Sequence, residues 1–183
     1  MRLGRLEIPS SIMARWVPAV GLLVVVGAVI AGIILTRAVA LAAPTQPLPY
    51  SHKVHAEAGV QCLFCHTGAL RSDVAGLPSV QKCIGCHTLI STEEESIQVL
   101  TGYWERSEPI PWVRVQSQPD FVFFSHQPHL GAGLSCETCH GDVGQMTVAR
   151  PVVRMDMGWC LKCHLQQPSD KVARLADCLA CHK

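Results

Sequence analysis

Aromatic side chains are scarce in this chain, at 5% of 183 residues, and so is charge, at 16% with a net formal value of only +1. An interior built mainly on Phe, Tyr and Trp is therefore excluded, and some other bulky apolar group has to fill the core. The balance of charge also excludes the basic surface of a nucleic-acid binder. Past Ala43, eleven Lys or Arg stand against thirteen Asp or Glu, so no nucleic-acid partner is expected. No glycine-rich phosphate loop occurs, and the short acidic run Glu93, Glu94 and Glu95 reads as a solvated face.

Cysteine is plentiful by contrast. All ten cysteines fall into five Cys-x-x-Cys-His runs: Cys62-Cys65-His66, Cys83-Cys86-His87, Cys136-Cys139-His140, Cys160-Cys163-His164 and Cys178-Cys181-His182. Disulfides or tetrahedral zinc would account for paired cysteines, but neither explains a histidine after every pair. Covalent c-type haem attachment explains both: each thiol adds to a porphyrin vinyl group, and the adjacent imidazole becomes the proximal iron ligand, here His66, His87, His140, His164 and His182. Five haems in the residues after the N-terminal segment amount to about one per 28 residues, so the macrocycles are expected to form most of the core. The fold class that follows is mostly α and irregular, with short helices at the motifs, little sheet, and no folding without haem.

The stretch from Trp16 to Thr36 is uninterrupted by charge. At about 1.5 Å per residue it spans roughly 31 Å, enough for a bilayer hydrocarbon core. The small residues from Ala38 to Ala43 allow a cleaved secretory signal as the rival reading, but the run exceeds the about 7 to 15 residues of a signal's apolar region, and a retained anchor is expected. Arg2, Arg5 and Arg15 precede it and only Arg37 closely follows, which sets the N-terminus in the cytoplasm and the haem domain on the periplasmic side. Gly27 with Ala31, and Ala28 with Gly32, suit close approach of a second membrane helix.

The segment Tyr50–His66 aligns with Phe124–His140: Ser51, His52, His55, Gly59, Cys62, Cys65 and His66 each recur 74 positions on. This divides the chain into an anchor (1–43), a two-haem module (44–90), a connecting or docking loop (91–123) and a three-haem module (124–183). Five six-coordinate irons need ten axial ligands. Beyond the motif histidines only His52, His55, His126 and His129 remain, and they are expected as distal ligands. The tenth is expected to be a methionine, Met155 first, then Met157 or Met146, although Met also fills gaps beside a macrocycle. With every position filled, no iron offers an open face to substrate, so the chain reads as an electron carrier with no catalytic residue of its own.

The pattern aromatic-x-His-x-x-His before Cys-x-x-Cys-His resembles the small multihaem cytochromes of the c3 and c7 type. That resemblance implies that His52 serves the haem of Cys62 and Cys65 and His126 that of Cys136 and Cys139, with His55 and His129 reaching neighbouring haems. Taken with the anchor, the five motifs, the duplication, the run Pro109–His129 and the run "MDMGWCLKCH" (Met155–His164), the whole chain resembles the pentahaem cytochrome subunit of bacterial alternative complex III. The resemblance implies an electron wire beside integral membrane quinol-oxidising subunits and an extracytoplasmic iron–sulfur subunit, delivering to a monohaem cytochrome or soluble carrier. A self-sufficient membrane-anchored multihaem quinol dehydrogenase is the alternative, and a terminal multihaem reductase is disfavoured by the filled ligand count.

Overall fold

The computed structural model describes residues 10–182, and side chains within the first helix from Trp16 onward. Arg2 and Arg5, which carry much of the orientation argument, lie outside the described residues, as does the side chain of Arg15. The chain divides into two units, Met1–Ala40 and the part from Leu41 on.

The first unit is one helix, α1 (Ser10–Ala40). Within Trp16–Ala40 an 18-residue window reaches a mean hydropathy of 2.7, and none of it is buried. A helix apolar on every side is suited to lipid rather than to one half-buried face. The expected apolar helix thus forms, and it continues past Thr36 to Ala40.

The second unit consists of short helices: α2 (His52–Glu57), α3 (Cys62–Cys65), α4 (Val80–His87), α5 (Glu95–Glu105), α6 (His126–Gly131), α7 (Glu137–His140), α8 (Met157–His164), α9 (Ser169–Leu175) and α10 (Cys178–Cys181). Two 3-10 turns, Thr67–Leu70 and Val143–Gln145, each follow a Cys-x-x-Cys-His motif. No strand forms among the described residues; Val122 and His182 make an isolated antiparallel bridge. This is the mostly helical and irregular class expected from the sequence.

The duplication is visible as structure. Gly59 and Gly133 both adopt left-handed φ, +82° and +83°. The two glycines end α2 and α6 alike, with Val60 N–H donating back to His55 O at 3.0 Å and Leu134 N–H to His129 O at 3.3 Å. Only glycine takes that conformation without a Cβ penalty, which is why it recurs in both copies. The copies also clasp each other: α2 of the first packs on the turn Val143–Gln145 of the second, and α6 of the second packs on the turn Thr67–Leu70 of the first. In the clasp Lys53 N–H donates to Met146 O at 3.0 Å. On the reciprocal side His126 Nδ1 lies 2.9 Å from Asp73 O.

The side-chain core is small. Leu48, Ile84, Leu100 and Ile110 pack as one buried cluster, flanked by Val80, Cys83, Ile97, Tyr103 and Trp112. Segment 91–123, expected as a connecting loop, contributes α5, and its Leu100 and Ile110 are buried. The reason is local: Ile97, Leu100 and Tyr103 recur at helical spacing, and that face closes over Ile84 of α4. Trp112, within the stretch expected to dock on another subunit, is partly buried against this cluster.

Candidate haem-attachment sites

All five motifs are helical at their cysteines or begin helix there. Cysteines three apart on a helical turn stand on one face, with the histidine one residue further on the same side. The thiols are free in every motif. Burial pushes several of them up: Cys83, with the nearby Cys65 adding to the effect, and Cys136, with the nearby Cys62 adding to it. Cys139 is raised by burial and then by Cys163, and Cys160 by burial and then by Cys181.

The histidines meet in pairs. His52 faces His66 with ring centroids 6.4 Å apart and planes within 12°. His126 faces His140 at 6.3 Å and 12°, the same geometry in the second copy. His129 faces His164 at 6.0 Å and 24°, and His55 faces His87 at 6.1 Å and 67°. Imidazoles bound to opposite faces of one iron, each through a metal–nitrogen bond of about 2 Å, have ring centres about 6 Å apart. Each pair therefore fits a haem iron between its rings.

The outer nitrogens support the same use. Nδ1 of His66 lies 2.7 Å from Gly76 O and that of His87 3.0 Å from Ile90 O. Nδ1 of His164 lies 2.9 Å from Leu175 O. His55 and His129 each hold the carbonyl four residues back, Ser51 O and Ser125 O, at 2.8 Å. A carbonyl can only accept, so each of these Nδ1 atoms donates its proton and leaves Nε2 with a free lone pair, the tautomer a metal needs. His52 differs: among the described residues its Nδ1 is buried without a hydrogen-bond partner. Burial, then the neighbouring imidazoles, hold His52 and His140 below the ordinary histidine value, which keeps both rings neutral at neutral pH.

The aromatic residue that opens each copy has a definite part. Tyr50 stacks on His55 at 4.5 Å and meets His52 edge-on at 4.8 Å. Phe124 holds His126 and His129 in the same way, both at 4.8 Å. Each ring fixes two imidazoles at once, a role that the bare sequence pattern did not assign. Burial, helped by Cys65 and Cys83, pushes the Tyr50 hydroxyl up to about 12.

The fifth motif differs. No histidine faces His182 among the described residues; Phe121 stacks beside it at 5.8 Å and 27°. His182 Nδ1 lies 3.3 Å from Phe121 O, and Phe123 N–H donates to Cys181 O at 2.7 Å. Of the three candidate methionines, Met155 is partly buried and its carbonyl accepts from Gln118 Nε2 at 3.0 Å. Met157 is 65% exposed, and Met146 sits in the clasp beside α2.

A helical chain that sets paired thiols one turn apart and opposes imidazoles at these distances is a c-type cytochrome. Comparison with known proteins agrees and narrows the class. Residues 122–183 match the family "Cytochrome c7 and related cytochrome c". Over 161 residues the chain is 31% identical to the multiheme cytochrome c subunit of menaquinone reductase from Nitratidesulfovibrio vulgaris, covering 75% of this chain and 77% of that one. The chain belongs to the multihaem cytochromes c, electron-transport proteins that carry c-type haems.

Proposed function

We propose that the chain carries five c-type haems and relays single electrons within a quinone-linked membrane complex, catalysis belonging to the complex as a whole. The four facing histidine pairs carry this reading, because they leave four of the five sites no open coordination position. When bound, haem supplies a one-electron iron couple. The chain's own residues attach it, fix the imidazole tautomers through backbone carbonyls, and hold the rings with Tyr50 and Phe124. In this reading residues 44–90 hold two haems and 124–183 hold three, α1 anchors the chain with its N-terminus in the cytoplasm, and the haem domain lies outside.

The finer reading is a quinol-oxidising complex of the alternative complex III type, with integral membrane and iron–sulfur subunits as partners and an extracytoplasmic electron acceptor. The relative's name supports a second reading, in which electrons run the other way and reduce the quinone. Gentle solubilisation of native membranes, isolation by haem absorbance and mass spectrometry of whatever co-migrates tests all of this. Polytopic subunits with an iron–sulfur protein, and haems reduced by added quinol, are the expected result. Quinone reduction without quinol oxidation selects the reverse direction. The chain alone, still reduced by quinol, overturns the complex in favour of a self-sufficient dehydrogenase.

We also propose Met155 as the tenth axial ligand, opposite His182. It is supported by the segment Gln118–Phe123, which holds the Met155 carbonyl at one end and Cys181 and His182 at the other. A thioether ligand raises the potential of a haem relative to a second imidazole. Met155→His is therefore expected to lower the midpoint of one haem in a redox titration and leave the other four where they were. Five unchanged midpoints would remove Met155 from the ligand set.

A further inference from the structure

We infer that the five attachment sites form a single unbranched file whose order is second, first, third, fourth, fifth, so that the chain order is reversed within the first module. The inference rests on the five motifs being haem sites.

Each link is made by a different contact. His52 and His55 stand on one helix, α2, and face the first and second motifs respectively. Lys82, next to Cys83 of the second motif, reaches back to the first: its Nζ donates to Phe64 O at 2.6 Å and lies 4.6 Å from the Phe64 ring. The first and second sites are thus neighbours. The link between modules runs from the first site, not the second. The helix bearing His52 packs on the turn directly after the third motif, and the helix bearing His126 packs on the turn directly after the first. His126 and His129 on α6 face the third and fourth motifs and make those two neighbours. His164 of the fourth motif is tied to Leu175, three residues before Cys178 of the fifth. The second motif packs through Ile84 against α5 and Ile110, from the segment between the modules, with Trp112 beside them. That leaves the second and fifth sites as the two ends.

A file is entered and left at its ends. With haem bound, each site would supply a one-electron iron couple, so a one-electron donor at one end would be oxidised and a one-electron acceptor at the other end reduced. Partners therefore meet the chain at α4 with α5, and at α10 with Phe121 to Phe123. The first, third and fourth sites, inside the file, exchange electrons only along it.

Two measurements test the order. The ideal Cβ position of Gly144, in the turn after the third motif, lies 3.7 Å from the Cβ of Ala56 in α2. That is within the about 3.5–4.5 Å a disulfide spans. In the haem-loaded full chain, Ala56→Cys with Gly144→Cys is expected to close a disulfide, seen as a loss of two mass units with the haem mass unchanged. Two free thiols after oxidation would overturn the central link. Electron cryomicroscopy of the native complex reads the rest: the first haem beside the third, and the second and fifth with one neighbour each, is the expected arrangement. A second haem beside the third overturns the order while leaving the relay intact. Fewer than five haems, or a vacant iron face among the first four, overturns the relay reading instead.

Discussion

Made without haem attachment, the part of the chain from Leu41 on is expected to show no cooperative thermal transition by near-ultraviolet circular dichroism and to be cleared rapidly by protease. The reason is the size of the side-chain core. Among the described residues its buried apolar side chains are Leu48, Ala69, Ile84, Leu100, Ile110 and Pro151, and four of these form one cluster around the second motif. The second module contributes only Pro151. Burying one aliphatic side chain gains about 1.5–3 kcal/mol, while ordering each backbone residue costs about 1–2 kcal/mol, so this handful of residues cannot hold a chain of this length. Short helices of four to eight residues do not persist alone either. The histidine pairs make matters worse in the haem-free chain, because they bring imidazoles together with no metal to share. The measurement is made on the full chain in detergent, produced with and without the haem-attachment machinery. A sharp melt in the haem-free sample would mean that protein contacts suffice and that the macrocycles are passengers.

The chemistry of this chain was legible in its sequence wherever one short motif determines it. Cys-x-x-Cys-His points to two attachment thiols and one ligand, the length of the apolar run from Trp16 is read by counting, and the 74-residue repeat singles out His52, His55, His126 and His129. The family resemblance implies that His52 and His126 serve their own motifs, and the structure sets those rings against His66 and His140. What could not be read depends on contacts between distant segments. That His55 faces His87, and His129 faces His164, follows from how α4 and α8 return to the distal helices. The partners of the imidazole Nδ1 atoms are main-chain carbonyls, which every residue carries, so Gly76, Ile90 and Leu175 give no signal in sequence. Segment 91–123 read as a loop because it carries no haem motif and holds the run from Glu108 to Val115 with its two prolines. The apolar spacing inside α5 was the signal that would have found the helix.

Replacing His129 separates a ligand from a bystander more sharply than any other single change. Its ring faces His164 at 6.0 Å, its Nδ1 is held at 2.8 Å from Ser125 O, and Phe124 packs against it at 4.8 Å. His129→Ala removes the imidazole opposite His164 and leaves the supporting carbonyl and Phe124 in place. One haem of the five is then expected to become five-coordinate: a high-spin signal appears in electron paramagnetic resonance, and the reduced protein binds one equivalent of carbon monoxide. Because the fourth site lies inside the file, electron transfer from end to end should fall as well, although the spectroscopic change is the direct reading. His129→Met gives the control. It restores a sixth ligand, so that haem should return to low spin, and the thioether should raise its potential where the other four midpoints hold. If His129 only packed beside the site, neither variant would change the spin state and carbon monoxide would find no new iron. If the helix collapsed instead, both variants would lose signal alike and the methionine would rescue nothing. High spin in the alanine variant with rescue by methionine is the result that only an axial ligand gives.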